Sequence, residues 1–190
     1  EKILALSTDK ACSPINLYGA TKLASDKLFV SSNGIKGDKK CRFSVLRYGN
    51  VMSSRGSVIP YFQELAKKKQ PLPVTSIDMT RFSLTLSESV DFAIKSLQYM
   101  VGGEIFVPKI SSYKILDLVE AVNLDRRYKV VGVRPGEKNH EELISLYDLK
   151  KTIDFKEFFI IIPESKVTTW NEKKFKKQNK VNKISYGKVT

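Results

Sequence analysis

Histidine is almost absent from this 190-residue chain, which has only His140, and cysteine occurs twice, as Cys12 and Cys41. Neither cysteine has metal-type spacing and His140 has no cluster to join, so no metal site is expected and both thiols are expected to stay reduced. No run of about 18 apolar residues exists, which excludes a membrane-spanning helix in this chain. No basic segment leading into an apolar one opens it, so no secretory signal is expected there. It begins with Glu, directly in a strand pattern, which leaves room for an upstream targeting or membrane segment. Acidic residues are few, 20 against 33 Lys and Arg, for a net charge of +13. The stretch after Pro163 holds eight Lys against Glu164 and Glu172 and supplies +6 of that charge. It reads as a solvated Lys-rich extension; without an aromatic–basic recognition pattern, nucleic-acid binding is not expected. Gly-x-Gly-x-x-Gly is also missing, and with it the turn that seats a dinucleotide pyrophosphate on a helix N-terminus.

What is present is enough for a core, with hydrophobic residues at 42%. Lys2-Ile-Leu-Ala-Leu-Ser-Thr8 reads as a short buried strand and 15–32 as a helix. Ser31 to Asp38 is turn-rich, and Arg42-Phe-Ser-Val-Leu-Arg47 is the next strand. Ser57 can cap a helix to about Lys68, with Pro60 tolerated in its first turn. Pro71 to Thr75 is extended. Thr85-Leu-Ser-Glu88 matches a capping box, opening a helix whose apolar stripe is Val90, Ala93, Ile94, Leu97 and Val101 and which Gly102-Gly103 ends. Further strands are expected at Glu104–Val107, Tyr128–Val133 and, as a late strand or edge, Phe158–Ile162. An amphipathic segment runs from Tyr113 to Val122 through Ile115, Leu118, Val119 and Val122. Alternating strands and helices predict an α/β protein with a parallel sheet.

The chemistry concentrates near the start. Ser7, Thr8, Asp9 and Lys10 lie at the carboxyl end of the first strand, where ligands of parallel sheets bind. If 15–31 is helical, Tyr18 and Lys22 share a face one turn apart. A phenol with an ordinary pKa near 10 becomes a base at neutral pH only if a cation stabilises its phenolate, and Lys22 is such a cation. Asp9 and Lys10 add a second acid–base pair. Adjacent residues of a strand diverge, so both reach one ligand only if the backbone leaves strand geometry there.

The string Leu6-Ser-Thr-Asp-Lys-Ala11, then Pro14-Ile-Asn-Leu-Tyr-Gly-Ala-Thr-Lys22, resembles the inverting UDP-N-acetylglucosamine 4,6-dehydratases of the extended short-chain dehydrogenases/reductases. Arg42 to Val51, Ser54-Arg-Gly-Ser-Val-Ile-Pro60, Met79-Thr-Arg-Phe82, Gly102 to Pro108 and Arg134-Pro-Gly-Glu-Lys138 continue it in order from about residue 3 to about 163. The resemblance implies the carboxyl-terminal part of a Rossmann-like parallel sheet plus a small α/β nucleotide-sugar-binding domain. Its domain pattern is a catalytic and substrate-binding portion at 1–163, without the amino-terminal cofactor half, and a Lys-rich tail at 164–190. A sheet divided this way is expected to leave an apolar edge exposed.

By the same resemblance, Tyr18 is the base for the sugar 4-hydroxyl, Lys10 removes the proton on carbon 5 and Asp9 protonates the leaving 6-hydroxyl, with Thr8 and Lys22 in the catalytic set. Ser7, Tyr18, Lys22 and Tyr48 are expected to face NADP. Asn50, Arg55, Ser57, Arg81, Arg134 and Glu137 are expected to hold the UDP end, Arg134 on phosphate and Glu137 on ribose hydroxyls; a guanidinium fork suits diphosphate. The expected setting is a cytoplasmic homo-oligomer acting on a UDP-sugar in the biosynthesis of modified surface sugars. A UDP-hexose 4-epimerase, which needs no elimination step and so no Asp9-Lys10 pair, is the alternative enzyme. A remnant that binds UDP-sugar without turnover is the alternative of another class.

Overall fold

The computed structural model describes residues 1–54, 56–123, 125, 127–155, 157–164, 170–180 and 185–186. In chain order its elements are β1 (Lys2–Thr8), a 3-10 turn at Asp9–Ala11, α1 (Leu17–Ile35), β2 (Arg42–Tyr48), β3 (Asn50–Val51), α2 (Val58–Lys67), β4 (Leu72–Val74), β5 (Thr80–Leu84) and α3 (Leu86–Tyr99). There follow β6 (Ile105–Pro108), β7 (Ser112–Lys114), α4 (Ile115–Val122), β8 (Tyr128–Val130), α5 (Leu146–Leu149), β9 (Thr152–Phe155), β10 (Phe158–Ile161), α6 (Glu172–Asn179) and β11 (Ser185–Tyr186). The chain forms two compact units, one of residues 1–48, 90–109 and 142–190, the other of residues 49–89 and 110–141.

The first unit holds a six-stranded sheet in the order β1-β2-β6-β10-β9-β11. β1, β2 and β6 are parallel, with Thr8 beside Tyr48 and Leu46 beside Phe106. From β10 onward the pairing is antiparallel. Only two residues separate β9 from β10, too few for the crossover that a parallel pair needs. β10 is therefore an interior strand, not an edge, and its Phe158 and Ile160 are buried in one core with Leu46, Phe92, Met100, Phe106 and Ile153. The exposed edge is β1, where Ile3 and Leu6 are 37% and 55% accessible.

Three helix expectations are corrected. α1 runs to Ile35, through the segment read as turn-rich, because Asn33 is buried and fully used. Its amide donates to the carbonyls of Val30 and Phe43, and its oxygen accepts from the Phe43 amide, tying the helix end to β2. α3 opens on the expected capping box, with Thr85 and Glu88 each accepting from the other's backbone amide. Ala93, Leu97 and Val101 of the expected stripe do pack on the core, but they are joined there by Ser89, Phe92, Ser96 and Met100, while Val90 and Ile94 are exposed. Ser96 returns its hydroxyl to the Phe92 carbonyl, so a residue counted as polar packs as a small one. Ser57 occupies the N-cap position of α2 without making the capping hydrogen bond.

The Lys-rich tail is also more than a solvated extension. Phe175 of α6 is fully buried, stacked edge-on against Phe155 with centroids 5.7 Å apart. Trp170 donates its indole N–H to Glu104, a buried carboxylate that also accepts from Ser44 and from the amides of Val101 and Gly102. A buried charge is tolerated when its lone pairs are this well used. Phe175→Ala is expected to cost about 3–5 kcal/mol in denaturant unfolding, as for other buried aromatics. A loss within about 0.5 kcal/mol, the usual surface value, would restore the solvated-tail reading.

The second unit has β5 between β3, parallel to it, and β7, antiparallel to it, and a separate parallel pair of β4 with β8. Phe62 of α2, Leu72, Val74, Met79, and Ile115 and Val119 of α4 form its core.

Candidate active site

At the carboxyl end of β1 the backbone leaves strand geometry after Thr8, as simultaneous use of Asp9 and Lys10 requires. Thr8 caps the 3-10 turn, accepting from the Lys10 amide, and its hydroxyl donates to Asp9 Oδ1 at 2.8 Å. Lys10 Nζ lies 3.0 Å from the same Oδ1. Asp9 is fully buried, and its Oδ2 has no hydrogen-bond partner among the described residues. An uncommitted carboxylate oxygen in such a place is free to meet a ligand hydroxyl.

α1 brings up the second pair. Asn16 caps the helix by accepting from the Gly19 amide at 2.8 Å. Gly19 lies against the turn so closely that a Cβ would come 2.3 Å from the Lys10 carbonyl oxygen. Only glycine allows this approach, and it sets Tyr18, half exposed, beside the turn that carries Asp9 and Lys10. Lys22, half-buried, follows one turn later on α1. Ser7 is buried, and Tyr48 stands opposite Thr8 at the end of β2, its hydroxyl pKa raised by burial.

Sequence reasoning missed what holds α1 in place. Arg47, 1% accessible, donates to Asp26 of α1 at 3.0 Å and to the Leu143 carbonyl at 3.1 Å. Burial raises the Asp26 carboxyl above its ordinary range, opposed first by Arg47. The available signal was a charge inside a strand whose neighbours are all core-type. Glu142 was missed as well. It accepts from Ser13, whose φ of 44° puts it in the left-handed region, at 3.0 Å. Cys12, beside it, is 2% accessible, and burial pushes its thiol up to about 11.

The second unit has its own cavity, of about 250 Å³. Asn50, Ser57, Arg81 and Glu137 line it; Arg134 is exposed and not on its wall, and Arg55 lies outside the described residues. Arg81 donates to Glu137 Oε1 at 3.4 Å and to the carbonyls of Thr80 and Asn139. Glu137 Oε2 and Ser57 Oγ are buried without hydrogen-bond partners among the described residues. Ser57 stands at the N-terminus of α2, so unused donors face a cavity that also holds a guanidinium, a setting that suits an anion. Tyr113, unforeseen as a lining residue, has its hydroxyl pKa raised by burial, with Arg81 opposing. Among the described residues there is no cluster of metal ligands and no helix long and apolar enough to cross a membrane.

A mixed α/β sheet whose strands β1, β2 and β6 run parallel, with Tyr-x-x-x-Lys on the helix after a Ser/Thr strand end, defines the class: a Rossmann-like fold. Within it, residues 1–163 match the model of one family, and the chain belongs to that family, described as polysaccharide biosynthesis protein. It is 52% identical over 168 residues to the UDP-N-acetylglucosamine 4,6-dehydratase (inverting) of Campylobacter jejuni subsp. jejuni serotype O:23/36 (strain 81-176), covering 88% of this chain and 50% of that protein. It is 38% identical over 164 residues to a UDP-glucose 4-epimerase of Rickettsia bellii (strain OSU 85-389), covering 84% and 48%. The solved structure of Pen from Bacillus thuringiensis superposes with a TM-score of 0.80 at 36% identity, over 85% of this chain and 52% of that one. At 15% identity and a TM-score of 0.63, dTDP-glucose 4,6-dehydratase from Bacillus anthracis, in complex with NAD, shares the fold over 75% of this chain and 52% of that one. The chain thus spans about half the length of the curated relatives it matches.

Two outcomes test this geometry. Asp26→Ala strands a buried guanidinium and is expected to cost about 3–5 kcal/mol in denaturant unfolding. A thiol reagent at pH 8 is expected to label Cys41 and spare Cys12, since the folded Cys12 thiol ionises only near pH 11. Its raised value favours the folded state below the unfolded thiol pKa of about 8.5, and that contribution is lost as pH climbs toward 11. Rapid Cys12 labelling in the folded protein would contradict the packing described.

Proposed function

We propose that this chain supplies the acid–base residues and the nucleotide-sugar site of a UDP-N-acetylglucosamine 4,6-dehydratase with 5-epimerase activity. The setting we infer is a cytoplasmic homo-oligomer that uses NADP to make precursors of modified surface sugars. The observation that carries the reading is the break in strand geometry at Thr8, which places Asp9 and Lys10 within 3.0 Å of each other at the tip of β1. A 4-epimerase has no elimination for such a pair to catalyse.

The residues present fit one end of a nicotinamide dinucleotide. Tyr18 and Lys22 are a phenol and a cation one turn apart, and Ser7 and Tyr48 add hydroxyls at the ends of β1 and β2, where ligands of parallel sheets bind. No glycine-rich turn for the pyrophosphate occurs in the sequence. When bound, the dinucleotide takes up a hydride from the sugar and later returns it. Tyr18 accepts the proton of the 4-hydroxyl, its phenolate stabilised by Lys22. The ketone at carbon 4 acidifies the hydrogen on carbon 5. Lys10 removes that proton, and Asp9 protonates the departing 6-hydroxyl. Carbon 5 is reprotonated from the opposite face. In the second unit, Arg81 and the α2 N-terminus with Ser57 serve the diphosphate; Arg134 and Arg55 join them in the proposal, with Glu137 on the ribose and Asn50 on the wall of the cavity.

The test is product analysis by NMR after incubation with UDP-N-acetylglucosamine and NADP. A 6-deoxy-4-keto product inverted at carbon 5 is expected; the 4-epimer alone, with its 6-hydroxyl intact, would sink the dehydratase reading. Absence of turnover by the 190-residue chain despite UDP-sugar binding would support the non-catalytic alternative. Lys10→Ala is expected to lower dehydration by at least about 10²-fold while leaving transient NADPH absorbance on mixing. Loss of that transient with UDP-sugar binding intact would instead place Lys10 in the oxidation step.

A further inference from the structure

The catalytic residues occupy the carboxyl ends of the strands in the first unit; at the amino ends the same unit carries an unexplained excess of positive charge. Four segments meet there. The Arg42 amide, at the start of β2, donates to the Glu1 carbonyl at 3.1 Å, and Arg42 stands beside Lys2 in the β1/β2 register. Arg42 donates to Gln178 of α6 at 3.0 Å, and Gln178 and Asn179 donate to carbonyls at the end of α3. Phe175 fixes α6 from beneath. Lys173 and Lys177, one turn apart, lie opposite Phe175 and are exposed, as are Lys174 and Lys180. Lys39 and Lys40, just before β2, are exposed as well. Against these stand Glu1, Asp38 and Glu172, the last already paired with Lys176 at 2.6 Å. Burial, and then Arg42, lower the pKa of the Lys2 ammonium, consistent with crowded cations.

β1 spans seven residues, about 20 Å, so this face lies well over a Debye length from Asp9 and Lys10. It cannot serve as their substrate funnel. Its cations are almost all lysines, which act as point charges, and guanidinium forks for base edges are scarce. Ile35, at the end of α1 and four residues before Lys39, is 83% accessible; it is aliphatic and offers no platform for base stacking.

We propose that the face formed by α6 and the segment leading into β2 docks this protein on an anionic lipid bilayer. The lysines sit on a helix that is already packed, so little ordering is needed on binding, and Ile35 enters the headgroup layer. The carboxyl ends of β1 and β2 then face the aqueous side.

The experiment is co-sedimentation of the protein with vesicles of phosphatidylcholine alone and of phosphatidylcholine mixed with phosphatidylglycerol, at low and physiological salt. Pelleting with the anionic vesicles only, weakening as salt rises, is the expected result. Each surface lysine neutralised lowers the partition coefficient about five-fold, so Lys173→Gln, Lys174→Gln and Lys177→Gln together lower it about 100-fold. All three side chains are exposed, and circular dichroism checks that the fold survives. Equal pelleting with both vesicle types, or a triple variant that pellets like the parent, overturns the proposal. So does tighter binding to duplex DNA than to anionic vesicles at physiological salt.

Discussion

Arg47 in β2 is the residue on which the first unit depends. A guanidinium with 1% accessibility must find its partners inside the protein, and here its two terminal nitrogens donate to Leu143 and Asp26 while Nε is left without a partner among the described residues. Those bonds fix α1 against the sheet and hold the segment after residue 141 to the same place. Since Asp26 lies one turn beyond Lys22, the pair also sets the angle at which Tyr18 and Lys22 are offered. A hydrophobic pair of the same volume would pack as well, and by the usual balance of desolvation against attraction need be no less stable. What the ion pair adds is direction: a fork that accepts only one arrangement of helix, strand and loop.

Gly19 sets the other coordinate. With 2.3 Å between its missing Cβ and the Lys10 carbonyl, helix and turn approach as closely as backbone allows. Arg47 and Gly19 together fix α1 in two places, one on the sheet and one on the turn. The Tyr18–Lys22 and Asp9–Lys10 pairs are thus positioned by backbone and buried charge rather than by each other, and Asp9 Oδ2 stays uncommitted.

Much of this was legible in the sequence. The strand ending in Ser-Thr, the Tyr-x-x-x-Lys spacing and the capping box at Thr85 are local signals, and local signals survive folding. What was not legible depended on partners distant in sequence. Asn33 looks like a turn residue until Phe43 takes both its hydrogen-bonding groups. Ser89 and Ser96 look like solvent-facing residues until they are seen as the small residues on either side of Phe92. Phe175 is one apolar residue among lysines, and composition alone could not show that it fills a pocket between Phe155 and Trp170. In the cavity of the second unit, the pairing of Arg81 with Glu137 was hidden for the same reason, since 56 residues separate them.

The geometry of the Asp9–Lys10 pair bears directly on the proposed chemistry. Asp9 Oδ1 accepts from both Thr8 and Lys10, the pattern of a carboxylate beside an ammonium. Elimination needs the other tautomer, a neutral amine and a protonated acid. The two forms carry the same net charge and differ by one proton moved along an existing 3.0 Å hydrogen bond. Water reaches the Lys10 side chain, which is 30% accessible, but not that of Asp9. A sugar covering that side chain removes the solvation, and separated charge without water is costly. On the proposed reading, a sugar lying over Lys10 would meet the open Oδ2 of Asp9 as well, since Nζ and Oδ1 are 3.0 Å apart, so one ligand would engage both residues at once.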